Sequence, residues 1–184
     1  IVLAALMIFP FAWGGAWGSL HSYQQDRILS FVDPSSDLGG KGYHGLQSRI
    51  AIGSGQLLGK GLQGGTQTQF KFLPEGHTDF VFAVFAEEWG FIGSLVLLSL
   101  YVIVLLMGLE IAFKAKDITG SILAVGVVAM LGFGIIVNIA MTSGLAPIVG
   151  IPLPLMSYGG SAMVVNLTAL GLLLNVKRRR LSLL

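Results

Sequence analysis

The sequence predicts an all-α integral membrane fold, a polytopic helical bundle with a large extracytoplasmic loop containing short or re-entrant helices. Three observations lead there. Hydrophobic residues fill 54% of the 184 positions and charged residues only 11%, against about a quarter charged in an ordinary soluble domain. Apolar stretches recur at the length that crosses a bilayer, roughly 20 residues. Basic residues gather at the ends of those stretches, as the positive-inside rule expects of a spanning protein. Cysteine is absent, so neither a disulfide framework nor a thiolate metal site is available.

Four stretches reach spanning length: 1–20, 89–109, 120–142 and 153–176. The first holds Pro10 and the Gly14-Gly15 pair, which predict a kink. The chain opens Ile1-Val2-Leu3, already inside that apolar run, and lacks the basic region and small-residue cleavage site of a signal peptide. It reads as a piece of a longer polytopic protein whose first half is missing. Orientation follows from charge. Lys177, Arg178, Arg179 and Arg180 follow the last apolar run, and Lys114-Ala115-Lys116-Asp117 separates two others. Basic clusters also bind nucleic acid, but beside a spanning helix this one reads as a cytoplasmic anchor, and no nucleic-acid partner is expected. The tail 177–184 and the Lys114 turn are then cytoplasmic. Counting back puts the loop around Pro147 and the segment 21–85 outside. The cations of that long segment do not oppose this, since long loops translocate largely regardless of charge.

The outer segment is too long and too patterned for a plain linker. Tyr23 to Phe31 precedes a turn at Asp33-Pro34-Ser35-Ser36-Asp37, and closely spaced glycines punctuate positions 39–65. Between them Leu46, Ile50, Leu57 and Leu58 predict a short helix at the membrane surface, interrupted at Gly53-Ser54-Gly55. Glycine permits close backbone approach, which suits a re-entrant or ligand-lining segment. The alternative is a flexible loop, which would not need those apolar residues. A helix then starts near Thr78, a good N-cap residue, and places Asp79 in the first turn, where the helix dipole favours a carboxylate. From Thr78 to Phe113 is about 54 Å of helix, too long for one crossing, so a break is expected near Trp89-Gly90.

The chemistry centres on Phe72-Leu73-Pro74-Glu75-Gly76-His77-Thr78-Asp79-Phe80. Ionisable groups at the lip of a membrane helix usually serve chemistry, transport or recognition. Asp79 either caps a helix and pairs with a cation or acts as a general base. Glu75 and His77 stand beside it as substrate-binding or orienting groups. Their spacing with Asp79 is no recognised ligand set, so no protein-built metal site is expected; a hard cation such as Mg2+ shared with substrate phosphates fits better. Glu87 and Glu88 read as an interfacial charge pair, and a two-carboxylate glycosidase site is not supported. Arg27, Lys41, Arg49, Lys60 and Lys71 are either solvated anchors or, with the glycine amides, a cradle for a phosphorylated headgroup. Near the last span, Pro152 and Pro154 suit a helix boundary. Ser157, Gly159, Gly160 and Ser161 there serve either tight helix packing or a ligand.

These motifs resemble the carboxyl-terminal half of the SEDS family (shape, elongation, division and sporulation), and its rod-shape branch most. Asp26 to Pro34, Gln47-Ser48, Phe72 to Phe80 and Asn138 to Ser161 carry the resemblance, in the family's order along almost the whole chain. Gly76, Trp89 and Ala162 depart from the usual residues. The resemblance implies a bundle of about ten spanning helices, about four of them in this chain. It implies a peptidoglycan glycosyltransferase that polymerises lipid II at the outer face of the bacterial cytoplasmic membrane, in elongation and shape maintenance, with inversion at the anomeric carbon and Asp79 as base. Lys60 and Lys71 would meet the donor pyrophosphate, with Glu75, His77, Ser157 and Ser161 also at the substrate. The implied partners are lipid II, the growing glycan strand, a class B penicillin-binding protein (a transpeptidase), other elongation-complex membrane proteins and membrane lipid. The competing readings are a lipid II flippase, which needs a polar path across the membrane, and a non-catalytic scaffold for the transpeptidase.

Overall fold

The computed structural model describes residues 21–32, 41–62, 64–65 and 78–181, and the described residues are helical with no strand. Five helices follow in order: α1 (Ser22–Val32), α2 (Lys41–Ser54), α3 (Val81–Phe113), α4 (Ile118–Thr142) and α5 (Gly160–Leu181). Three of them, α3, α4 and α5, are long and apolar enough to cross a membrane. The predicted span at 1–20 and the turn at Asp33 lie outside the described residues.

The spanning helices pack through small side chains, because lipid removes most of the hydrophobic gain and leaves close contact to hold them. Ala112, Ala124, Val127, Leu131, Ala169 and Leu173 form the core where α3, α4 and α5 meet. A second core joins Phe82 and Tyr101 of α3, Ile135 of α4 and Leu153. Outward positions such as Val96, Leu100, Ile103 and Leu106 remain exposed and apolar, as a lipid-facing or helix-facing surface must be.

α3 is 33 residues long and breaks at Gly90, where φ is 66° and ψ is −162°. The break falls where the sequence predicts it, and another segment fills it. Residues 55–61, directly after α2, lie against the gap and replace its lost helical hydrogen bonds. Phe91 N and Ile92 N donate to Gln56 O and Leu57 O, while Lys60 N and Gly61 N donate to Glu87 O and Glu88 O. A Cβ on Gly90 would sit 2.3 Å from Gly59 N, so only glycine fits there.

α4 starts where Asp117 caps it, its carboxylate accepting from Gly120 N at 3.0 Å. α5 begins at Gly160 rather than at the expected 153. Residues 151–159 stay irregular because Pro152 and Pro154 supply no N–H and Leu155 sits at φ 64°, a conformation L residues rarely take. Ser157 closes this segment: Leu153 N donates to its Oγ at 2.7 Å. Tyr101 Oη on α3 donates to Pro154 O at 2.7 Å and ties the segment to the bundle. Lys114 and Lys177 line one cleft, and Lys116 and Arg179 another, where α3 ends, α4 starts and α5 ends. Both basic clusters therefore share one end of the bundle.

Candidate functional site

At the opposite end, Asp79 lies in a turn at 78–80 just ahead of α3. This corrects the expected start at Thr78. The first helical bonds run from Ala83 N and Val84 N to Phe80 O, and Asp79 O accepts instead from Asn138 Nδ2 at 2.9 Å. Asp79 thus precedes the helix rather than entering its first turn. Its backbone is held by a side chain from the last turns of another spanning helix, α4.

Asn138 is 0% exposed. Its Nδ2 also donates to Ile151 O at 2.8 Å, so one amide clamps the 78–80 turn to the segment after α4. Two carbonyls on one side fix the amide orientation, because a flipped oxygen would face both of them. Its Oδ1 is buried and has no hydrogen-bond partner. The Asp79 side chain lies on the same segment: a Cβ added at Gly150 (φ +79°) would come within 3.1 Å of Asp79 Oδ2. The carboxylate is therefore seated against bare backbone.

Neighbouring residues stiffen this arrangement. Phe80 is buried with Ala51 of α2 and Ala83 of α3, against Ile148. The His44 ring stands 6.4 Å from the Phe80 ring, centroid to centroid. Ser48 Oγ donates to Thr142 O at 2.8 Å and pins α2 to the end of α4. The Gln47-Ser48 motif thus works partly as a brace.

Three expected substrate-binding residues, Glu75, His77 and Lys71, lie outside the described residues. Lys60 is described, and its ammonium has a protein partner. Its Nζ pairs with Glu87 Oε1 at 2.8 Å. Glu87, expected as an interfacial charge, is 0% exposed and has Ser54 Oγ 3.4 Å away. The physical reason is the α3 break: residues 55–61 enter it and carry Lys60 to the carboxylate. A buried carboxylate keeps its charge only when paired and hydrogen-bonded. Ser157 is buried and its hydroxyl serves the turn at Leu153, whereas Ser161 is exposed in the first turn of α5. Among the described residues no three His, Asp or Glu side chains converge on a metal position.

Two cations that the sequence reading left among five stand out. Arg27 Nη1 donates to Val149 O at 3.0 Å, one residue before the Gly150 that faces Asp79. Arg49 lines the same cleft as Arg27. Sequence spacing offered no signal for either, because the contacts join residues about a hundred positions apart.

A family model described as Cell cycle protein (FTSW_RODA_SPOVE) matches residues 1–181. The chain belongs to this family. It is 48% identical over 180 residues to the peptidoglycan glycosyltransferase MrdB of Escherichia coli (strain K12), covering 98% of this chain and 48% of that protein. The peptidoglycan glycosyltransferase RodA of Treponema pallidum (strain Nichols) is 43% identical over 162 residues, 88% of this chain and 37% of that one. Stage V sporulation protein E of Bacillus subtilis (strain 168) is 44% identical over 156 residues, 85% of this chain and 42% of that one. The chain spans about half the length of the curated relatives it matches. Among solved structures, a peptidoglycan synthase complex studied for the coordination of polymerization and crosslinking superposes with a TM-score of 0.72 at 31% identity, covering 99% of this chain and 49% of that chain. A mutant of the Thermus thermophilus rod shape determining protein RodA gives 0.54 at 43% identity, over 56% of this chain and 35% of that chain. The fold is thus that of the family's polytopic helical membrane proteins.

Proposed function

We propose that the protein is a peptidoglycan glycosyltransferase that polymerises lipid II at the outer face of the bacterial cytoplasmic membrane, in cell elongation and shape maintenance. The observation that carries this reading is the seating of Asp79. Its turn is clamped by a buried amide and its carboxylate rests against Gly150, at the end of the bundle away from the basic clusters. A catalytic carboxylate must be held in one place and reach one proton. Relatives named as peptidoglycan glycosyltransferases support the reaction class.

In the step proposed, the acceptor sugar 4-hydroxyl oxygen attacks the anomeric carbon of a lipid-pyrophosphate donor. Asp79 takes the hydroxyl proton as the new C–O bond forms. The bond from the anomeric carbon to the pyrophosphate oxygen breaks, and the lipid pyrophosphate leaves with its electron pair. One displacement inverts the anomeric centre, so no carboxylate nucleophile is needed. Cationic groups must meet the departing charge. Glu75, His77 and Lys71 remain proposed substrate contacts, joined by Ser161 at the head of α5. The partner proposed is a class B penicillin-binding protein, in keeping with a structural neighbour that couples polymerization to crosslinking.

The test compares full-length protein with its Asp79→Asn variant on purified lipid II, with the transpeptidase present. A base of this kind contributes about 10²–10⁴-fold, and the variant should lose that much polymerisation rate while keeping its thermal stability. A folded variant that polymerises at the parent rate removes Asp79 from the chemistry. Lipid II transfer across proteoliposomes with no polymer formed would make the protein a flippase.

A further inference from the structure

The leaving pyrophosphate needs cations, and Lys60, one of the expected sources, is neutralised by Glu87. A different pair is better placed. Arg27 of α1 and Arg49 of α2 line one small open cleft of about 40 Å³, together with Ser30, Gly42, Gly45 and Gly144. Among the described residues no acidic side chain lines it. Neither arginine is ion-paired among the described residues. Two guanidinium groups sharing a cleft repel each other, and each keeps most of its five donors unspent. Arg27 Nε is shielded from solvent and has no hydrogen-bond partner.

Both side chains are also held in place. Arg27 Nη1 donates to Val149 O at 3.0 Å. Arg49 Nε donates to Gly45 O at 3.4 Å, and its chain crosses Gly144 so closely that a Cβ there would fall 2.6 Å from Arg49 Cδ. Gly144 has φ +74°, so the turn after α4 is shaped to admit this arginine. The cleft adjoins the proposed base through two consecutive residues: Val149 holds Arg27, and Gly150 meets Asp79 Oδ2. Carboxylate and guanidinium thus flank one short piece of backbone.

We propose that the Arg27–Arg49 cleft is a diphosphate-binding subsite that takes the pyrophosphate of the lipid-linked donor. This rests on the reading of the function given above. The guanidinium fork matches phosphate oxygens in pairs, which an ammonium group does not. A Cβ on Gly45 would come within 3.1 Å of Ile148 Cδ1, so glycine there lets α2 approach the segment after α4 closely. A phospholipid headgroup presents the same phosphate chemistry, and the experiment separates the two sources.

The full-length protein in detergent is titrated with inorganic pyrophosphate, and binding is followed by the shift in thermal unfolding. Parent and Asp79→Asn proteins should bind alike. The double variant Arg27→Gln/Arg49→Gln should bind about ten- to hundredfold more weakly, the usual loss for charge-assisted hydrogen bonds. Arg27→Lys/Arg49→Lys, which keeps the charge and loses the fork, should fall between. In polymerisation assays the Lys variant should raise the KM for lipid II more than it lowers kcat. Equal pyrophosphate binding by parent and Gln variant overturns the subsite. A thermal shift with phosphatidylglycerol vesicles that the Gln variant loses, with none from pyrophosphate or phosphatidylcholine vesicles, makes it a phospholipid site and overturns the donor assignment. If Asp79→Asn still polymerises while the Gln variant has lost pyrophosphate, the base assignment fails and the subsite stands.

Discussion

Asn138 does at a single position what a loop could not do alone. Its amide joins two carbonyls, Asp79 O and Ile151 O, that no helix would otherwise satisfy. Asn138→Leu should leave both carbonyls buried without a donor, at about 1–3 kcal/mol each. Thermal unfolding in detergent should show that loss, and the initial rate of lipid II polymerisation should fall through kcat more than KM, because the Asp79 turn is released. Gly150→Ala probes the same contact from the other side. A positive-φ alanine costs about 1–2 kcal/mol, and its Cβ would crowd Asp79 Oδ2 at 3.1 Å. Polymerisation should drop while pyrophosphate binding at Arg27 and Arg49 persists. Asp79 was visible in the sequence as an ionisable group beside an apolar run. Asn138 was visible as the first residue of the motif that runs to Ser161; its partner lies 59 positions away, and nothing local reports that pairing.

The broken helix α3 and the segment 55–61 behave as one structural element. Four backbone hydrogen bonds cross between them, and the Lys60–Glu87 pair locks the joint. Lys60→Met strands a buried carboxylate. Removing one partner of a fully buried pair costs about 3–5 kcal/mol, and the partial exposure of Lys60 (27%) moves the expectation to the low end. Glu87→Gln should cost less, and the double variant should recover part of the loss, which a double-mutant cycle on unfolding would read out. Gly90→Ala should lift the segment away, since the added Cβ meets backbone rather than a movable side chain. Hydrogen exchange at the Lys60 and Gly61 amides should then speed up. The break was predictable from length and a glycine. That another segment would enter it was not, because the matching hydrogen bonds belong to a distant part of the chain.

Across the whole molecule, the described residues show three spanning helices with both basic clusters at one end and Asp79, Arg27 and Arg49 at the other. The positive-inside rule then predicts that the Asp79 turn lies outside. In a cysteine-free background of the full chain, Leu145→Cys should react with a membrane-impermeant maleimide on intact cells or spheroplasts. Lys116→Cys should react only after permeabilisation. The reverse pattern would turn the molecule over and place Asp79 on the cytoplasmic side.

Local chemistry alone set the class of this protein, the spanning stretches within α3 and α4, the break at Gly90 and the basic ends. Each follows from composition, length or a residue's own backbone freedom, all read within a window of one helix. Tertiary packing decided what Lys60 and Glu87 do, how Asp79 is held and which arginines stand near it. Those outcomes depend on contacts across 27 to 122 positions. A sequence names the donors and acceptors, but burial chooses the pairs, because inside a membrane protein no water is present to satisfy the ones left over.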